Sequence, residues 1–236
     1  MYDPNMVMPE ETAYIFDILK SFQELNQFYL IGGTALSLHI GHRLSEDLDF
    51  ITKEQKLPRE AIQASLDKLR QSRIQVVRDD DATSYDEFQI AGMELHDYSQ
   101  SFIVEMKCKV TFFTAEDHHI NLLQSPLGQT GLSIATLDEL QDLKSVVCAF
   151  RSSSRDWLDL YLLESRGFGV AGWKQAFEKA GLSQDQFQDA LYRIKSGKLP
   201  PSDPGFQTLL KNPPSIPEIN IQLKKRIQEF ERSAQP

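Results

Sequence analysis

The stretch that decides the reading is LIGGTALSLHIGHRLSEDLDF, residues 30 to 50. It opens inside FYLIGG, a short buried strand from Phe28 to Ile31 closed by Gly32 and Gly33. TALSLHIGH then has a helical rhythm, with Gly41 as its stop. Asp47 to Ile51 returns to strand. Alternate side chains of a strand share one face, so Asp47 and Asp49 point one way and Leu48 and Phe50 point into the core. The two aspartate Cα atoms then stand roughly 6.7 Å apart. Two bare carboxylates converging on one volume repel, and one takes up a proton. A divalent cation removes that penalty, and hard oxygen ligands suit magnesium. Gly32 and Gly33 have no Cβ, so a ligand can approach the backbone closely. They also sit at a helix N-terminus, where free amides and the helix dipole favour phosphate. A phosphate cradle beside paired carboxylates implies a nucleoside triphosphate pocket. The chemistry it suits is phosphoryl or nucleotidyl transfer.

Working outward, Pro9 to Asn26 is helical by its apolar spacing, with Glu10 and Glu11 in the first turn where the dipole favours them. Arg59 to Ser72 is helical again. From Ile74 to Phe113 the pattern turns to strands: IQVVRD, EFQIAGMELH and SFIVEMKCKVTFF are rich in β-branched and aromatic residues. Turn chemistry separates them at Asp79 to Ser84 and near Tyr98, and the block extends the first strands in a largely antiparallel way. In the last strand Phe102, Val104, Met106, Cys108, Val110 and Phe112 take one face, and Ile103, Glu105, Lys107, Lys109, Thr111 and Phe113 the other. After Gly131 the chain reads as helix: Leu137 to Phe150, Ser154 to Ser165, Trp173 to Ala180, Gln184 to Lys195 and Glu218 to Arg232. Thr136 with Glu139, and Ser153 with Asp156, read as capping boxes. A proline-rich run, LPPSDPGFQTLLKNPPSIP, is expected to be extended on the surface. The predicted architecture is α/β: a mixed sheet flanked by helices over residues 1–125, then a helical C-terminal lobe over 126–236.

The chain has 236 residues, enough to bury a substantial core. Its 25 basic and 34 acidic residues give a net charge of -9, unlike a protein that holds nucleic acid by charge alone. The tail from Lys195 carries seven basic against four acidic residues, a difference that reads as a solvated face. Cys108 and Cys148 are far apart and read as buried thiols in a reducing compartment. Glu116, Asp117, His118 and His119 are crowded in the manner of zinc ligands, yet read better as solvated turn residues. MYDPNMVMPEET is acidic with no apolar core, so no secretory signal is expected. No run approaches the roughly 18 apolar residues of a membrane span, and a cytoplasmic location with no membrane partner is expected.

The segment Ile31, Gly32, Gly33, a spacer from Thr34 to Glu46, then Asp47, Leu48, Asp49, Phe50 resembles the DNA polymerase β-like nucleotidyltransferase signature. The wider text GGTAL…GHRLSEDLDF closely resembles the AbiEii/AbiGii toxin family of nucleotidyltransferases. That family adds a later helical segment of the form K…A…R…(K/R)D…D, matched here by Lys144, Ala149, Arg151, Arg155, Asp156 and Asp159. The resemblance implies a nucleotidyltransferase-fold core with a helical C-terminal lobe. It also implies magnesium-dependent transfer of a nucleoside monophosphate from an NTP to an acceptor, with tRNA as one candidate. The role implied is the toxin of a toxin–antitoxin or phage-defence pair, with an antitoxin protein as partner. A third carboxylate from a neighbouring strand is normal in such enzymes. Glu105 is the only acid on that strand, while Thr111 holds the place where an aspartate is expected.

Read physically, Lys144 and Arg151 are seven apart and share a face on a continuous helix, with Leu140, Leu143, Val147 and Phe150 as its apolar stripe. Two cations suit a triphosphate, and Asp156 and Asp159 could orient them. The expected site is therefore Asp47, Asp49 and Glu105 for the metal, and Gly32, Gly33, Thr34, Arg43, Ser45 and Lys144 for the nucleotide. Asp156 positions Lys144, and Asp47, Asp49, Lys144 and Asp156 carry the catalysis. His42 is expected to face the pocket beside Arg43. Two rivals remain: a small-molecule nucleotidyltransferase of the aminoglycoside type, whose cationic acceptor would suit the acidic surface, and an inactive family member that binds a nucleotide or a partner.

Overall fold

The computed structural model describes residues 1–128, 131–197 and 214–233. The chain falls into two compact units: Met1–Glu116 with Ser125–Thr136, and Asp117–Gln124 with Leu137–Pro236.

The first unit begins with helices α1 (Pro4–Val7) and α2 (Glu10–Leu19). The helix expected to reach Asn26 stops at Leu19 and leaves a single 3₁₀ turn at Gln23–Leu25. Then follow β1 (Tyr29–Ile31), α3 (Gly32–Ile40), β2 (Asp47–Thr52) and α4 (Arg59–Gln71). Gly41 closes α3 in the left-handed conformation, as its sequence position predicts. After β3 (Val76–Arg78) come α5 (Ala82–Ile90), β4 (Ser99–Val104) and β5 (Cys108–Thr114). EFQIAGMELH is thus not a strand: its first half lies in α5, which Asp81 caps by accepting from the Ser84 amide, and Leu95–Asp97 is a 3₁₀ turn. SFIVEMKCKVTFF is two strands, with a turn at Glu105–Lys107 between them.

With β6 (Ser133–Ile134) the sheet has six strands in the order β3-β4-β5-β2-β1-β6. β3–β4, β4–β5 and β1–β2 are antiparallel, as expected of the extension. The join is not: β5 lies parallel to β2, and β6 parallel to β1. Register places Leu30, Phe50 and Phe112 in one cross-strand row, with Leu48, Val110 and Phe102 in the next. All six are buried. The Phe112 ring lies edge-on to Phe28 at 5.3 Å and stacks on Phe50 at 5.1 Å. Each such pair contributes about 0.5–1.5 kcal/mol beyond area burial. This apolar face fixes the register, because a slip of one residue would turn Leu48 and Phe50 to the other side. The same constraint holds Asp47 and Asp49 on the opposite face.

The second unit contains α6 (Asp117–Leu122), α7 (Leu137–Val147), α8 (Ser154–Glu164), α9 (Val170–Ala180), α10 (Gln184–Ser196) and α11 (Ile216–Ser233). Its core gathers Trp157, Leu160, Trp173, Phe177, Phe187, Leu191, Leu223 and Ile227. The residues from Asp117 to His119, read as a turn, open the short helix α6. A capping box does occur, but at Ser183 and Gln186 at the start of α10. Ser153 stands at the N-cap of α8 without a side-chain cap bond. The proline-rich stretch lies outside the described residues except for its last four. No helix among the described residues is long and apolar enough to cross a membrane.

Candidate active site

The diglycine turn and the carboxylates meet at the C-terminal end of β1. Gly32 has φ +75°, a left-handed value that L side chains rarely adopt. A Cβ there would stand 2.7 Å from Asp49 Oδ2, so the Asp49 carboxylate lies directly over the turn. Ile31 pairs with Asp49 across the β1–β2 ladder, which is how the strand order brings them together. Thr34 is buried in the first turn of α3, and its Oγ1 donates to the backbone oxygen of Asp47. Asp47 and Asp49 are half-buried, while Leu48 and Phe50 between and after them are sealed in the core.

Gly33 is covered from a different direction. A Cβ on it would overlap the Arg43 guanidinium and lie 3.0 Å from Ser45 Oγ. Arg43 and Ser45, on the loop between α3 and β2, are both buried, and Arg43 Nη1 donates to Leu44 O at 2.9 Å. His42 precedes them on the same loop, with its Nδ1 3.5 Å from Ser37 Oγ on α3. The structure thus gathers Gly32, Gly33, Thr34, Arg43, Ser45, Asp47 and Asp49 around one turn.

Glu105 is not among them. It lies in the β4–β5 turn at φ 50°, and its Oε1 accepts from the Gln75 amide at 2.8 Å. Asp47 pairs with Lys109, and Glu105, four residues before Lys109, falls short of the start of β5. Thr111 sits opposite Asp49, and Ser101 opposite Thr111, with their hydroxyl oxygens 3.5 Å apart. Lys109 Nζ lies 3.3 Å from Asp79. No group of three His, Cys, Asp or Glu side chains able to hold a metal occurs among the described residues. Two carboxylates with a neighbouring hydroxyl are still a hard-oxygen donor set, and that chemistry fits a magnesium ion. Ser101 reaches this row through the β4–β5 hairpin, whose turn the sequence alternation runs through without a break.

Within the helical unit, Lys144 Nζ lies 2.8 Å from Asp156 Oδ1 and 2.7 Å from Asp159 Oδ2. Arg151 Nε reaches Asp156 Oδ2 at 2.8 Å, and its Nη2 reaches Oδ1 at 3.3 Å. Lys144 and Arg151 do not share a helix as expected, because α7 ends at Val147. They converge on the first turns of α8 instead. Burial, the largest influence on Asp156, pushes its pKa up, but Lys144 and Arg151 beside it hold it below the ordinary carboxylate range. Phe150 leaves the apolar stripe to stack on His118 at 4.9 Å.

A mixed sheet that sets a diglycine turn against an aspartate pair defines the nucleotidyltransferase class of fold. Solved structures agree on that fold. A putative nucleotidyltransferase from H. pylori superposes with a TM-score of 0.51 at 18% identity, covering 95% of this chain and 96% of its own. MenT4, a nucleotidyltransferase toxin from Mycobacterium tuberculosis H37Rv, gives a TM-score of 0.53 at 15% identity over 93% of this chain and 84% of its own. The family described as "Nucleotidyl transferase AbiEii toxin, Type IV TA system" matches residues 15–235, and the chain belongs to that family. An uncharacterised protein of Aquifex aeolicus (strain VF5), aq_aa25, is 32% identical over 141 residues. That match spans 58% of this chain and 58% of the relative.

Proposed function

We propose that this protein is a magnesium-dependent nucleotidyltransferase that moves a nucleoside monophosphate from an NTP to an acceptor and releases pyrophosphate. The observation that carries this reading is the Asp49 carboxylate lying over Gly32, 2.7 Å from where a Cβ would stand. A side-chain-free turn, a helix N-terminus and two carboxylates on one sheet face share one small volume. In this reading Asp47 and Asp49 hold the metal, and when bound it neutralises phosphate oxygens. The Gly33 backbone, Arg43 and Ser45 bind the phosphates, and Thr34 fixes the first turn of α3 to β2 through its bond to Asp47 O. In the helical unit Lys144 takes part in nucleotide binding, oriented by Asp156 and Asp159. The acceptor hydroxyl oxygen bonds to the α-phosphorus and gives its proton to solvent, while the bond from that phosphorus to the pyrophosphate oxygen breaks and pyrophosphate leaves.

By family, the role we propose is that of a toxin with an antitoxin partner and an RNA acceptor, tRNA being the first to test. The net charge of -9 favours a second acceptor class, a cationic small molecule. The threonine opposite Asp49 favours a third reading, nucleotide binding without turnover. One experiment separates them. Purified protein is incubated with each labelled NTP, magnesium and cell extract, and the label is located on RNA, on a small molecule or nowhere. The Asp47→Ala, Asp49→Ala double variant should abolish transfer, and transfer that survives it would remove these residues from the site.

A further inference from the structure

The loop that covers Gly33 is held by the first dozen residues of the chain, all of which lie outside the span matched by the family. Asp3 caps α1 by accepting from the Asn5 amide, and Val7 and Met8 are buried. Three contacts reach from this segment to the α3–β2 loop, and a fourth to α3. The Tyr2 ring packs on Gly41, where any Cβ would overlap it, and the Tyr2 amide donates to Leu38 O at 2.6 Å. The Ser45 amide donates to Val7 O at 2.9 Å. Thr12 Oγ1 donates to Glu46 O at 3.1 Å. The loop from Gly41 to Glu46 is therefore tied at its start, at Ser45 and at its end. Arg43 and Ser45, the two side chains over Gly33, lie between the first tie and the last.

We propose that residues 2–8 act as a positioning strap: through Gly41 and Ser45 they pre-order the Arg43–Ser45 loop over Gly33 and thereby set the affinity for the triphosphate. None of these residues is argued to touch the nucleotide. Their action is to remove the ordering cost that a loose loop would meet on binding. Arg43 is a long side chain with much rotamer freedom, so a loop held in advance gains most there. This inference rests on the phosphate-binding role proposed for the loop.

The test uses the full-length chain, a deletion of residues 2–8, Tyr2→Ala and Tyr2→Phe. The Tyr2 side chain is 44% exposed, so Tyr2→Ala keeps the test available if the deletion does not fold. The first readout is amide hydrogen exchange without nucleotide. The deletion and Tyr2→Ala should speed exchange over residues 42–46 and leave the exchange of β4 and β5 unchanged, while Tyr2→Phe should exchange like the parent. The second is the Kd for a non-hydrolysable NTP with magnesium, which should rise roughly tenfold in both variants and stay at the parent value in Tyr2→Phe. Unchanged exchange over 42–46 overturns the strap, as does faster exchange with an unchanged Kd. A parent protein that binds no NTP overturns the functional reading, and the strap's role in affinity with it. The exchange data then still decide whether residues 2–8 order the loop.

Discussion

Thr111 stands directly across the β2–β5 ladder from Asp49. The position is one at which a side chain would join Asp47 and Asp49 on the same sheet face. A hydroxyl there offers a neutral oxygen where a carboxylate would add a full negative charge. Ligand charge count is a main determinant of affinity for hard cations. Thr111→Asp should therefore tighten magnesium binding by roughly tenfold, measured by calorimetry without nucleotide. An unchanged magnesium Kd would mean that this ladder position does not face the ion.

Gly32→Ala should damage both folding and nucleotide binding. The left-handed backbone alone costs about 1–2 kcal/mol for a residue with a Cβ, and the new methyl would press on Asp49. Gly92 supplies the control, since it has φ +70° but nothing within 4 Å of its Cβ position. The two variants should lose similar backbone stability by thermal melting, while only Gly32→Ala loses magnesium-dependent NTP binding. Equal nucleotide binding in both would separate Gly32 from the site.

Lys144 neutralises two carboxylates that are almost wholly out of solvent: Asp156 is 2% and Asp159 0% exposed. Removing one partner of a buried pair typically costs about 3–5 kcal/mol, because the remaining charge is left in a medium of low polarity. Lys144→Met should show a loss of that order in urea denaturation at pH 7. Asp159→Leu added to it should recover part of the stability. A loss below about 1 kcal/mol would show that other groups satisfy the carboxylates.

His119 makes a separate pH prediction. Burial, with a smaller contribution from His118, lowers its pKa to about 4. The unfolded chain takes up this proton near the ordinary value of 6.5 and the folded chain only near 4. Folding is therefore penalised progressively as pH falls through that interval, and the penalty is absent above it. Stability followed by urea denaturation between pH 7 and 4 should fall less steeply in His119→Phe than in the parent. Parallel curves would mean that His119 titrates normally.

The site was more legible in the sequence than the sheet that carries it. LIGG and DLDF declare themselves because a buried strand, a glycine turn and a two-residue alternation are all local patterns. The hairpin in SFIVEMKCKVTFF hid behind the same rule. Val104 pairs with Cys108, so the turn holds three residues and the odd and even positions keep their faces across it. Only Met106, 79% exposed at the tip, betrays the break, and Glu105 was placed on the sheet for that reason. EFQIAGMELH misled differently: α5 buries no residue, so its apolar side chains follow no face and carry no helical period. The signal that existed was the cap, Asp81 three residues before Ser84. Spacing predicts that Lys144 and Arg151 meet on one helix face, and they meet by another route. A shared acid, Asp156, brings them together rather than a shared helix.

The chain changes unit at residues 116, 124 and 136, so that α6 belongs to the helices while β6 returns to the sheet. No single stop codon therefore yields either half intact. Truncation after 124 strips the sheet of its edge strand and leaves α6 without the helices of its unit, and a fragment begun at 125 carries β6 without the strand it pairs with. Anyone wishing to prepare the unit that carries Asp47 and Asp49 by itself would need to splice 125–136 directly onto 116, a rearrangement the gene does not offer.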